Sequence, residues 1–211
     1  MSRPGVGRPT AAQQQRRHEE LLNVALDIFL EQGFEQATME EIAIRVGMSK
    51  RTMYARYRDK AALFKAAVGR AIERYTVPRA ALEAVATQDL EETLRAIARL
   101  RIANVATPVG TKLQRILGAQ AYRFPELFNA AFEEGAGPTI DFLSELFLRY
   151  GKQGAIGVTE PRRAAAAFLS VAVGGPARII VSGNKLSAAE IEKHVRFSVG
   201  LFLFGLRGRG G

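Results

Sequence analysis

The 211-residue chain contains no cysteine, which excludes disulfides and thiolate chemistry, and nothing in it calls for an oxidising compartment. It has two histidines, His18 and His194, far apart in sequence, so no transition-metal site built from the chain and no cofactor is expected. Long apolar runs are missing too. The longest uncharged one, Val199 to Leu206, falls short of the roughly 20 residues a bilayer span needs. The first seventeen residues are polar and basic, without the apolar core of a secretory signal, so a soluble, cytoplasmic protein is expected. GxxxxGK[ST], HExxH and GxSxG are all absent. The carboxylate pairs (Glu40-Glu41, Glu91-Glu92, Glu133-Glu134) sit where helix starts or solvated faces are expected. No catalytic residue can be named, and no enzyme activity is expected.

What is abundant is positive charge. The formal net charge is +9 and the pI about 10.2, which favours an anionic partner such as nucleic acid. The charge is concentrated. From Arg45 to Lys65 there are seven Lys or Arg against one acid, Asp59. The local pattern there is specific. Thr38 and Glu41 make a T-x-x-E capping box, so a helix should begin at Met39. Met39, Ile42, Ala43 and Val46 form one apolar face. Gly47 stops that helix, Met48 plugs the turn, and Ser49 caps a second helix running to about Tyr57. Two short helices joined by a glycine-containing turn are a helix-turn-helix. The second helix should turn Lys50, Arg51 and Thr52 outward from its first turn, where such motifs reach base edges in the major groove, and Met53 and Tyr57 inward. A basic, solvated helix pair is the alternative for the same residues. The coincidence of cap, turn, plug and charge favours the motif.

The run GMSKRTMY over 47–54, followed by Tyr57, Lys60 and Leu63 at three-residue steps, resembles the DNA-binding signature of the tetracycline-repressor (TetR) family of regulators. The resemblance is specific from about Glu19 to Phe64 and generic beyond. It departs from the family at Tyr57, more often Phe, and at Arg51, where many members carry a small residue. An all-α fold is implied: an N-terminal three-helix DNA-binding domain, then a helical ligand-binding and dimerisation domain. By the same resemblance Thr38 and Tyr54 contact phosphate. Lys60, close to the start of the next helix, is placed for a phosphate as well.

In chain order, residues 1–15 are read as a basic arm. Gly7-Arg8-Pro9, with Arg3 nearby, is similar to the core of a minor-groove hook; the other reading is a solubilising tail. Residues 16–76 form the DNA-binding domain with its connecting helix. Its first helix carries Leu22, Ala25, Leu26 and Phe29 and ends at Gly33, and its last, capped by Asp59, carries Leu63, Phe64, Ala67, Val68 and Ala71. Pro78 marks the boundary. Residues 77–206 are expected to be helical throughout, with helices at about 89–105, 112–123, 126–134, 138–150, 160–181 and 187–206, and 207–211 form a tail.

Gly174-Gly175-Pro176 should kink the fifth of these helices, and Ala166, Ser170 and Gly174 would let another helix approach it closely. The end of the last helix is apolar on nearly every face and needs burial on more than one side. The core of one subunit could supply that burial, but both observations favour a homodimer joined through the last two long helices. A pocket for a small, mostly apolar inducer is expected from Tyr122, Phe124, Phe128, Phe132, Phe142 and Phe147, with Gln120 and Arg123 supplying polarity. Each of these aromatics is alternatively ordinary core.

The reading is therefore a ligand-responsive regulator, in the first place a repressor, that binds a palindromic double-stranded operator as a dimer. The competing one is an architectural DNA-binding protein, independent of ligand and reliant on its basic arm.

Overall fold

The computed structural model describes residues 10–207, and Arg3 and Arg8 of the basic arm lie outside them, as does the tail from residue 208. The described residues are helical, without a strand. The chain divides into two compact units, Met1–Arg70 and Ala71–Gly211. The division falls inside a helix, a little before the Pro78 to which the sequence assigns it.

In the first unit α1 (Ala11–Gln36) starts at a reciprocal capping box between Thr10 and Gln13. It breaks at Gly33, whose φ of 82° only glycine adopts cheaply. The last turn after this kink carries Phe34 inward. α2 (Met39–Arg45) and α3 (Lys50–Arg56) follow, and α4 (Lys60–Tyr75) begins with Ala62 N–H donating to Asp59. The core of this unit is aromatic. Phe29, Phe34 and Phe64 are buried, with ring centroids 5.0, 5.1 and 5.9 Å apart. Leu21, Ile28, Ile42, Met53 and Leu63 complete it.

The second unit contains α5 (Arg79–Val85), α6 (Leu90–Ala106), α7 (Pro108–Gln120), α8 (Pro125–Ala130), a π-turn (Ala131–Ala136), α9 (Gly137–Lys152), α10 (Pro161–Ala172), α11 (Gly174–Val181) and α12 (Ala188–Arg207). α9 packs on α10, and α6 packs on α11 and α12. Three details differ from expectation. The sequence reading contained no α5; Leu82 buries it, and Arg79 ties it to Glu83 and, with bonds of 2.6 and 2.9 Å, to Glu145 on α9. α7 starts at Pro108, not Lys112, because Thr107 caps Gly110 N–H and proline suits a first turn. Instead of breaking before Pro138, the chain passes through the π-turn, so that α8 and α9 form one helical run. The extra residue of such a turn accommodates the missing proline N–H.

Val173 separates α10 from α11, and the two axes differ by 43°. Pro176 cannot donate to Ala172, which places the interruption where the Gly-Gly-Pro pattern predicts it. Among the described residues no single helix is long and apolar enough to cross a membrane. α10 and α11 meet that test only together, as a bent pair, and Ala165, Phe168, Ala172 and Pro176 of this pair are buried in the protein.

Candidate nucleic-acid interface

The turn between α2 and α3 is built by backbone hydrogen bonds. Met48 N–H donates to Ala43 O at 2.8 Å and Gly47 N–H to Ile44 O at 3.0 Å, a Schellman closure with Gly47 at φ 63°. Thr38 Oγ accepts from Glu41 N–H and starts α2. The Glu41 side chain does not complete the expected box; it accepts from Gln32 and Arg45. Ser49 Oγ accepts from Thr52 N–H and starts α3. Met53 is fully buried beneath the turn and Tyr57 is buried at the end of α3.

These constraints leave Lys50, Arg51 and Thr52 exposed side by side on the first turn of α3. Their surroundings differ. Lys50 Nζ lies 2.6 Å from Glu40 and 5.7 Å from the centre of the Tyr54 ring. The Lys50 ammonium holds the Glu40 carboxyl below its ordinary pKa, and Glu40 raises that of Lys50. Tyr54 also donates to Glu40, at 3.4 Å. The Thr52 hydroxyl shares a 2.8 Å bond with Ser49. Arg51 has no ion pair among the described residues. Of the two long cations on this turn, Lys50 is paired with Glu40 and Arg51 is not.

Lys60 is held differently from its neighbours. Its Nζ donates to Glu35 O at 2.8 Å and Ala37 O at 2.9 Å and stands 4.7 Å from the centre of the Phe34 ring. The charge thus closes the carbonyl end of α1 against the start of α4, a holding contact and not an outward-facing one. Lys60→Ala is expected to lower the stability of the head by about 1–2 kcal/mol, allowing for partial exposure. It should leave the salt slope of DNA affinity unchanged. A slope shallower by about one unit, measured by DNA titration across salt, would mean that Lys60 reaches a phosphate after all.

Sequence reasoning passed over His18, which shares a 2.6 Å hydrogen bond with the Tyr57 hydroxyl and stacks near its ring. Burial, with Arg56 and Arg70 nearby, lowers the pKa of His18, and burial raises that of Tyr57. Both are therefore neutral at pH 7, and the pair anchors the end of α3 to α1. A histidine three residues before the first core leucine gives no such signal in a sequence.

In the second unit the eight expected pocket residues are dispersed. Tyr122 is fully exposed, as Arg123 largely is, and Gln120 is half-buried. Phe128 and Phe132 lie mostly on the surface, Phe132 beside an open groove of about 430 Å³ shared with Ile140, Pro161, Arg162 and Ala166. Phe142 is buried against the Arg79 guanidinium, Phe147 packs on Phe202, and Phe124 is buried at the start of α8. Helical spacing assigns residues to faces, but the neighbouring helices decide which face turns inward.

Known proteins resemble both parts of this architecture. Residues 21–67 match the family of bacterial regulatory proteins described as the tetR family, and residues 92–205, more than half of the chain, match the C-terminal domain of AefR-like transcriptional repressors. The chain belongs to the TetR family of transcriptional regulators. Its fold agrees with that of a TetR-family regulator from Mesorhizobium loti MAFF303099, at a TM-score of 0.74 and 27% identity over 93% of this chain and 98% of that one. It agrees also with the Flavonoid-responsive Regulator FrrA, at a TM-score of 0.72 and 29% identity over 93% and 100%. Curated relatives match over shorter lengths. The HTH-type transcriptional repressor BepR of Brucella suis biovar 1 (strain 1330) is 36% identical over 64 residues, 30% of this chain and 31% of BepR. The uncharacterised HTH-type transcriptional regulator YdeS of Bacillus subtilis (strain 168) is 30% identical over 103 residues, 48% of each chain. The matches to these two relatives thus span about a third to a half of their length.

Proposed function

We propose that the protein is a cytoplasmic, ligand-responsive repressor that binds a palindromic operator as a homodimer. The observation that carries this reading is the first turn of α3. A Schellman turn and a serine cap present Lys50, Arg51 and Thr52 outward, in the family whose members bind DNA with this element. Thr38 and Tyr54, exposed at the edges of the same surface, are proposed to contact phosphates. Arg3 and Arg8 are proposed as a minor-groove arm.

Dimerisation is proposed through α10–α11 and α12. Phe197, Leu201 and Phe204 form an exposed apolar stripe at i, i+4 and i+7 along α12, and Val171 and Ile179 are exposed on α10 and α11. Two heads related by a two-fold axis meet successive major grooves about 34–36 Å apart, so operator half-sites should be spaced by 10–10.5 base pairs. Ligand bound in the second unit would favour a state with another head spacing, transmitted through α4. By linkage, the ligand weakens DNA binding by the factor by which DNA weakens ligand binding. The flavonoid response in FrrA's name supports a small, largely apolar effector here.

Selection of bound DNA from a random pool, with and without candidate effectors, tests the reading. A palindrome lost on adding effector is the expected result, whereas sequence-independent recovery would favour an architectural DNA-binding protein. Within the selected operator, Arg51→Ala should cost about 1–3 kcal/mol and relax base preference at one position of each half-site. Uniform weakening across all sequences would assign Arg51 to the phosphates.

A further inference from the structure

Arg101 stands on α6 at an inward position of the stripe formed by Leu94, Ile97, Ala98, Ile102 and Val105, and it is 5% exposed. Its Nη1 donates a 3.3 Å bond to Gly135 O in the π-turn, and its guanidinium carbon is 5.2 Å from the centre of the Tyr75 ring. Its Nε has no protein partner, and no carboxylate pairs with it among the described residues. Burial lowers its pKa, only partly opposed by Tyr75, yet a guanidinium remains protonated at any physiological pH. A buried charge without a counter-charge is strongly unfavourable, and an apolar side chain of the same volume would serve the fold better. Other arginines of the second unit are paired with acids: Arg79 and Arg99 each hold two carboxylates, and Arg162 pairs with Glu133 and Asp141.

A second unpaired group lies nearby in the chain. Thr139, four residues beyond Gly135 on the same helical run, is fully buried, and its hydroxyl has no partner. Around Arg101 the contacts converge on the last turn of α4. Asn104 Nδ2 donates to Tyr75 O at 2.7 Å, Gln114 Nε2 to the Tyr75 hydroxyl at 3.4 Å, and Thr76 Oγ1 to Glu134 O at 2.9 Å. A Cβ on Gly135 would stand 3.4 Å from the Tyr75 ring, at ordinary van der Waals distance, so the π-turn lies directly against that ring.

We propose that the effector is an organic anion, a carboxylate or acidic phenol on an apolar body, and that Arg101 is its counter-charge. The anion accepts from Arg101 Nε, draws the guanidinium away from Tyr75 and Gly135, and in doing so loosens the grip of α6 and the π-turn on the end of α4. Thr139 supplies a neutral hydrogen bond to the same group. The inference rests on the ligand-responsive reading above and specifies the chemistry of its ligand.

The test uses the full-length protein, a library of metabolite-like carboxylic acids and phenols, and the neutral amide or methyl ether of each, read by thermal shift and calorimetry. Compounds binding the wild type should be anionic, with their neutral counterparts at least tenfold weaker. Arg101→Met should melt at or above the wild-type temperature and lose the preference for the anion, and Arg101→Lys should keep part of it. Melting several degrees lower in Arg101→Met would make the guanidinium a structural group and overturn the proposal, as would anion preference that survives the substitution. Binding confined to neutral compounds would remove the anion and leave the regulator standing. If nothing in the library binds, the ligand-responsive reading itself fails, and this inference with it.

Discussion

Replacing Phe197 and Phe204 together by glutamate should convert the proposed dimer to a monomer and lower operator affinity by about 10²–10⁴-fold. The two rings are 70% and 79% exposed on one side of α12, with Leu201 between them. Fully burying a Phe or Leu side chain contributes about 1.5–3 kcal/mol, and a two-fold axis applies each contact twice. Glutamate forfeits that burial and adds carboxylates that an apolar interface cannot solvate. Inside one subunit the substitutions are mild, because the face packed on α6 and α10 uses Val195, Val199 and Leu203 instead. The loss on DNA follows from geometry. A dimer binds its second half-site as an intramolecular event, and a monomer forfeits that effective concentration. Light scattering coupled to size exclusion reads the assembly, and titration of a full palindrome against a single half-site reads the consequence. A variant that stays dimeric at micromolar concentration would place the interface elsewhere. A monomer with undiminished affinity for the palindrome would show that the heads bind independently.

Phe64→Ala is expected to destabilise the head by about 3–5 kcal/mol, the range for deleting a large buried ring. Phe64 is 1% exposed and meets Phe29 and Phe34 edge-on, at 5.0 and 5.1 Å. Few other side chains can collapse into the space, since Ile42, Met53 and Leu63 around it are already fully buried. A unit of about 70 residues has a total stability near the lower end of the 5–15 kcal/mol range, so this loss is a large fraction of it. Operator binding should disappear at 37 °C, and calorimetry should show a low-temperature transition split from that of the second unit. A single unshifted transition with retained DNA binding would mean that the cluster contributes little. Phe64→Leu, which keeps most of the volume, should recover most of the stability.

How far the head could be anticipated is clear from particular residues. Thr38, Gly47, Ser49 and Asp59 each act through backbone atoms within five positions of themselves, so their effects appear in the order of the letters. Lys60 does not act locally. Its phosphate assignment followed from a position near a helix start, whereas its ammonium is held by carbonyls 23 and 25 residues earlier. The dispersal of the expected pocket residues has a related cause. An aromatic every three or four residues shows that a helix has an apolar side, but Tyr122 ends in solvent and Phe147 in the core because of helices far away in the chain. In the sequence Arg101 is a charged residue at the helical spacing of Leu94, Ile97, Ala98 and Val105. Only the packing of α6 against the π-turn and Tyr75 shows that it is buried.

The sequence by itself determined the all-helical class, the helix-turn-helix and its register, the kink before Pro176 and the apolar character of α12. Capping, proline chemistry and hydrophobic period operate within one or two turns. The tertiary structure alone decided that Lys60 closes α1, that α5 exists, that α8 runs into α9 through a π-turn, and that a guanidinium lies unpaired inside the second unit. Those outcomes depend on which distant groups a side chain meets. That is set by the packing of several helices at once, which no local pattern encodes.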